Sequence, residues 1–287
     1  MSIAKIVAPL TGTTRDVQVL ATAFVAAKPY NAHVTALFVR PDPRLALPYT
    51  GTPISPDVVQ AIVDSAEEMN RAAARNARSV FEKAAAEAGA DVVKTAKPSG
   101  TPTCSFEETE GYFPRCVSAA ARLSDLVVFG PVATTDGPDL ADAFVETLTK
   151  TVRPVLLAAK APEVFPGKVM LAWDGSDTAA RAIVGALPVL TQAREIALLS
   201  CCGPRSQKTD IREVQDYLAW HGLASVGQTV DPGKYGVGEA LLAAAHDARA
   251  DLLIMGGYGH SKLGETIFGG VTQHIRWHAK IPVLMVH

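Results

Sequence analysis

Between Met255 and Thr272 the chain carries Gly256-x2-Gly259-x9-Gly269-Gly270, with His260 inside the spacing and Val271-Thr272 closing it. Glycine lets a backbone come close to an anion because no Cβ stands between them. The stretch follows an apolar run, Asp251-Leu252-Leu253-Ile254-Met255, and leads into a helix-like segment. Strands that end in glycines before a helix start are how open α/β sheets build anion sites. Main-chain N–H groups point outward there, and the helix dipole adds about half a positive charge. The chemistry on offer is the cradling of a phosphate.

Two other segments can converge on that loop. One apolar run ends at Ala172-Trp173-Asp174-Gly175-Ser176 and another at Ser200-Cys201. A carboxylate, an aromatic ring and a set of backbone N–H groups fit a nucleoside phosphate. Asp174 equally suits a helix cap, and Trp173 equally suits plain core. Other sites lack their residues. No Gly-Lys-Ser/Thr follows the glycines, since Gly259-His260-Ser261-Lys262 stands there. The dinucleotide fingerprint Gly-x-Gly-x-x-Gly and the hydrolase elbow Gly-x-Ser-x-Gly are both absent. His274 and His278 have zinc-ligand spacing but no carboxylate between them, which favours a surface helix. No acid–base pair lies beside the loop, so no residue is assigned a catalytic role and no metal site is expected.

The elements that must position these residues occur twice. Lys5-Ile6-Val7-Ala8-Pro9-Leu10-Thr11-Gly12-Thr13 resembles Lys168-Val169-Met170-Leu171-Ala172-Trp173-Asp174-Gly175-Ser176. Ser124-Asp125-Leu126-Val127-Val128-Phe129-Gly130 parallels Ala250-Asp251-Leu252-Leu253-Ile254-Met255-Gly256, and Arg153-Pro154-Val155 parallels Ile281-Pro282-Val283. Such self-similarity points to duplication. It predicts domains at 1–160 and 168–287, joined by a Pro/Gly-bearing segment. Helical spacing follows the first strand of each half, and Asp177 and Thr178 suit the second helix start. Continuous Val/Ile/Leu runs predict parallel strands buried on both faces, hence an α/β fold of two tandem doubly wound (Rossmann-like) domains. Val58–Ala88 is read as a long helix that turns Val59, Ile62, Val63, Ala66 and Met69 toward the protein's own core.

Composition agrees with this reading. Hydrophobic residues make up 48% of the chain and charged residues 20%, with a formal net charge of -2. No basic run points to nucleic acid, and no apolar stretch nears the roughly 20 residues of a membrane helix. The first residues lack a signal-peptide core, so a cytoplasmic location is expected. Cys104, Cys116, Cys201 and Cys202 are read as reduced thiols, since adjacent cysteines pair only under strain.

On these motifs the chain resembles the universal stress protein family in its tandem two-domain form, over nearly its whole length. Nucleotide-binding members carry Gly-x2-Gly-x9-Gly-Ser/Thr at this place, and the Asp-Gly-Ser turn stands here as Asp174-Gly175-Ser176. The resemblance implies a five-stranded parallel sheet in each half, an adenine-nucleotide site (ATP or a relative) and a role in stress survival. By position, Ala172, Trp173 and Asp174 would edge the base and ribose, with Cys201 flanking the base. Met255, Gly256, Gly259, Gly269, Gly270 and Val271 would hold sugar and phosphates, with His260 beside them. Val155–Ala159 and Val283–Val286 are where the family's domains pair, which would make the chain a pseudo-dimer within itself. Whether Mg2+ accompanies the nucleotide and whether chains form a homodimer stay open.

Two departures bear on function. Gly270 stands where a hydroxyl residue is expected, which removes a donor worth roughly 1.5–3 kcal/mol toward a charged group; Thr272 is the candidate substitute. In the first half, Thr11 replaces the Asp, and Gly130-Pro131-Val132-Ala133 replaces the glycine loop, with Pro131 deleting an N–H. That half is expected to serve as a structural partner without nucleotide. Two alternatives remain on the sequence: a nucleotide-independent interaction protein, and a slow ATPase using His260 and Asp174.

Overall fold

The computed structural model describes residues 2–48, 51, 54–95, 99–131, 138–201, 210–234, 236–258 and 270–287. In the N-terminal half, β1 (Lys5–Leu10), β2 (His33–Arg40), β3 (Asp91–Val92), β4 (Thr103–Glu110), β5 (Leu126–Phe129) and β6 (Val155–Leu157) alternate with α1 (Asp16–Ala27), α2 (Pro56–Ala88), α3 (Phe113–Ala121) and α4 (Pro138–Thr149). The C-terminal half holds β7 (Lys168–Ala172), β8 (Glu195–Cys201), β9 (Val226–Val230), β10 (Leu252–Gly256) and β11 (Val283–Val286). Its helices are α5 (Asp177–Gly185), α6 (Leu187–Leu190), α7 (Ile211–Trp220), α8 (Val237–Asp247) and α9 (Gly270–His278).

All the strands join one sheet, in the order β3-β4-β2-β1-β5-β6-β11-β10-β7-β8-β9. Pairing is parallel within each half. The halves meet antiparallel, with Val155, Leu156 and Leu157 opposite Met285, Leu284 and Val283. The predicted doubly wound architecture is therefore present. The N-terminal half adds only the two-residue β3 at its outer edge.

Alternating residues feed the two faces of the sheet. Ile6, Ala8 and Leu10 share one core with Leu252, Ile254 and Leu284. Val7, Val127 and Phe129 share the other with Leu253, Met255 and Met285. Both cores run across the seam between the halves, and burial of each Val, Leu, Ile, Met or Phe side chain contributes about 1.5–3 kcal/mol. The repeat also shows in hydrogen bonds. Asp125 accepts from the Ala4 and Lys5 amides at 2.8 and 3.0 Å. Asp251, its counterpart, accepts from the Lys168 amide at 2.7 Å. Gly167 has φ +58°, and a Cβ there would run into the Asp251 side chain.

The expected inward face of α2 needs correction. Ala66 is buried and Val59, Ile62 and Val63 are half-buried, but Met69 is 62% exposed. Ala77, Phe81 and Ala85 make the deep contacts instead. Length explains this: 33 residues of helix span about 50 Å, whereas the neighbouring strands are at most eight residues long, about 27 Å. The first turns of α2 overhang the sheet. Among the described residues no helix is long and apolar enough to cross a membrane.

Candidate functional site

Strand order in the C-terminal half reverses between β7 and β10, and ligand crevices of doubly wound sheets lie beyond the carboxyl ends of strands at that point. A cavity of about 250 Å³ opens there. Ala172, Trp173 and Asp174 bound it from the end of β7, and Cys201 from the end of β8. Met255 and Gly256 contribute from β10, and Gly270, Val271 and Thr272 from the start of α9. Nine residues singled out from the sequence thus line one cavity. The other three, Gly259, His260 and Gly269, lie outside the described residues, as does Cys202.

The structure changes the reasons given for several of them. Ser176, not Asp177 or Thr178, caps α5: its Oγ accepts from the Ala179 amide at 3.1 Å. Asp174 is exposed and accepts from the Ser176 amide at 3.0 Å, which holds the turn that aims Ser176. Trp173 is half-buried and packs on the core beside the cavity; its Nε1 is shielded from solvent and has no acceptor among the described residues. A ligand would therefore meet its ring rather than its N–H.

Gly256 has a packing reason to be glycine. A Cβ there would lie 2.8 Å from both the Ala179 nitrogen and the Thr178 carbonyl carbon. The absent side chain lets the start of α5 sit against the end of β10. At Gly270 a Cβ would meet nothing within 4 Å.

The amides of the cradle are only partly available. Gly257 donates to the Val286 carbonyl at 2.8 Å. Tyr258 donates to Thr272 Oγ1 at 3.3 Å. The Thr272 oxygen accepts that bond while its hydroxyl proton is left to donate, and Thr272 lines the cavity. The anion-binding capacity of the site rests on the first described turn of α9, where Gly270, Val271 and Thr272 line the cavity. The helix dipole adds to it.

Sequence reasoning missed Tyr258, Arg276, Val237 and Leu241. Tyr258 lines the cavity in a left-handed conformation, φ +59°, and is 5% exposed. Burial pushes its hydroxyl above the usual tyrosine range, against the opposing effect of Arg276. Arg276 is itself buried; it donates to the Tyr258 hydroxyl at 3.2 Å and lies 4.8 Å from the Phe144 ring centre of α4. The cavity wall is therefore tied to the other half of the chain. A buried arginine in the last turn of α9 was the available signal. Val237 and Leu241, on α8, close the apolar side.

Cys104, Cys116 and Cys201 form no disulfide among the described residues, and burial pushes the Cys104 thiol up to about 11. His274 and His278 stack at 4.3 Å, and His278 Nδ1 bonds the His274 carbonyl at 2.9 Å. Among the described residues no group of three or more His, Cys, Asp or Glu could hold a metal ion.

Fold and cavity define a doubly wound α/β unit with a crevice at its switch point. Residues 167–287 match the universal stress protein family, and this half of the chain is a universal stress protein domain. Over the whole chain the fold is similar to a universal stress protein from Archaeoglobus fulgidus DSM 4304, with 18% identity, TM-score 0.62 and coverage of 98% of this chain and 95% of that one. A putative universal stress protein from Pseudomonas aeruginosa UCBPP-PA14 shares 13% identity at TM-score 0.54, over 99% and 93% of the two chains. A functionally unknown protein from Pseudomonas aeruginosa PAO1 has 13% identity and TM-score 0.57, over 99% and 92%. No curated protein matches the chain.

Proposed function

We propose that the chain is a cytoplasmic stress-response protein that binds an adenine nucleotide in its C-terminal half, residues 168–287, while residues 1–160 form a structural partner domain. The observation that carries this reading is the convergence of Asp174, the apolar walls and the first turn of α9 on one cavity at the switch point. Its 250 Å³ lies just below the range of small-molecule sites, about 300–1,000 Å³. A base and ribose fit this space, with phosphates reaching toward the N-terminus of α9. Asp174 would accept from a ribose hydroxyl, and the α9 N–H groups would meet negative charge. The residues present fit such a ligand, although the Gly257 and Tyr258 amides take no part. Binding supplies stabilisation of the folded half and a bias on its contacts; no bond-making step is assigned.

Calorimetry with ATP, ADP and AMP tests the reading. Binding of one nucleotide per chain supports it, and no heat at millimolar ligand removes it. A nucleotide-independent interaction protein is the second reading, favoured by the engaged amides of Gly257 and Tyr258. Absence of any thermal shift with ATP, in protein purified without nucleotide absorbance, supports that alternative.

A further inference from the structure

A second polar cleft lies in the N-terminal half, on the outer side of α3 and α4, with a volume of about 580 Å³. Arg115, Arg122, Lys150 and Arg153 line it, against a single carboxylate, Glu146, which pairs with Lys150. The whole chain carries a net charge of -2, so this concentration of cations is local. Neither the Arg115 nor the Arg122 side chain has a hydrogen bond or ion pair among the described residues. Among the described residues the Arg153 side chain is anchored by one bond, Nη2 to the Arg122 carbonyl at 2.9 Å, while its buried Nε has no acceptor.

Placement of these groups is costly in two ways. Arg115 sits in the first turn of α3, which holds no acidic residue, and the helix dipole disfavours a cation there. Val152, next to Arg153, is held at φ +53°, a conformation β-branched residues rarely adopt. Like charges gathered in a concave site repel one another unless an anion joins them. Guanidinium forks match phosphoryl oxygens in geometry and charge.

We infer that this cleft binds a small phosphoryl polyanion of the pyrophosphate class, held by the guanidinium groups of Arg115, Arg122 and Arg153. The site is separate from the cavity of the C-terminal half and does not depend on nucleotide binding there. Titration of inorganic pyrophosphate into the full chain at low ionic strength tests it. Binding is expected, and the double substitution Arg115→Gln/Arg122→Gln weakens it about a hundredfold, from two lost charge-assisted contacts. The melting temperature of that variant is unchanged or higher, because a cation leaves a helix N-terminus. A control pair at exposed cations elsewhere, Lys83→Gln/Arg212→Gln, leaves affinity unchanged. No binding by the wild type, binding untouched by the double substitution, or an equal loss in the control pair would each overturn the inference.

Discussion

The first strands of the two halves end in opposite ways. At the end of β1, Asp16 reaches back from α1 and accepts from the Thr11 and Gly12 amides at 2.9 and 2.8 Å, and from the Thr11 hydroxyl at 3.1 Å. That carboxylate is 1% exposed. Ala73 of α2 packs directly over Gly12, and Asn76 donates to the Gly12 carbonyl at 2.7 Å. At the end of β7, Asp174 stands in the strand-end position itself, exposed at the rim of the cavity. A cleft of about 580 Å³ also exists in the N-terminal half, but the amides at its floor already hold an anion. Each half has a crevice at the end of its first strand, and the two differ in where the carboxylate stands: bonded to the strand-end amides in one, exposed at the rim in the other.

The comparison can be broken at its strand ends. The largest effect is expected from Gly256→Ala against Gly130→Ala. The first Cβ meets backbone atoms at 2.8 Å; the second meets only the Val19 side chain, at 3.2 Å. Urea unfolding should show a loss of about 3 kcal/mol for Gly256→Ala and about 1 kcal/mol for Gly130→Ala. Equal losses would mean that the two strand ends are packed alike.

Asp16→Asn comes next. An amide cannot accept from both backbone donors with one oxygen, so a loss of about 1–3 kcal/mol is expected. Burial raises the Asp16 carboxyl above its ordinary 3.8, against several lowering hydrogen bonds. The folded state then binds the proton more tightly than the unfolded state. Wild-type stability from this group therefore falls as pH rises from 3.8 through the raised value. The gap between wild type and Asp16→Asn should narrow over that range and level off above it. A gap that widens would contradict the burial argument.

Smaller effects sharpen the contrast at the ligand. Asp174→Ala should weaken nucleotide about tenfold, one charged hydrogen bond, and cost under about 1 kcal/mol of stability. Thr11→Ala, the matched change in the other half, should leave nucleotide affinity alone. Gly270→Ser places a hydroxyl where a Cβ meets open space, and should tighten ATP by up to about tenfold. Titration calorimetry reads all three.

Periodicity and repetition made the fold legible. Buried parallel strands leave continuous apolar runs, and duplication wrote each run twice. The pairing of β6 with β11 came from the family resemblance, because nothing in a strand's own residues names its antiparallel neighbour. Which residues line the cavity was legible for the same reason as the fold, since strand ends at a switch point are fixed by topology. Mechanistic detail was not. The packing reason for Gly256 shows only once α5 is seen against it, and the bond that Thr272 Oγ1 accepts from the Tyr258 amide depends on a meeting of strand end and helix that no spacing records. The Asp16 bonds were invisible because they depend on how α1 turns back on β1. Met69 followed the apolar period of α2, yet its turn extends beyond the sheet that could have covered it.

The central claim is that the crevice at the end of β7 presents an open anion site and the one at the end of β1 has filled its own. Titration of the Arg115→Gln/Arg122→Gln chain with ATP, in which the separate cationic cleft is disabled, tests it most directly when read as stoichiometry, with Asp174→Ala and Asp16→Asn added to that background. The account predicts one equivalent bound, weakened by Asp174→Ala and not by Asp16→Asn. Two equivalents, no binding at millimolar ATP, or a site lost with Asp16→Asn instead would contradict it.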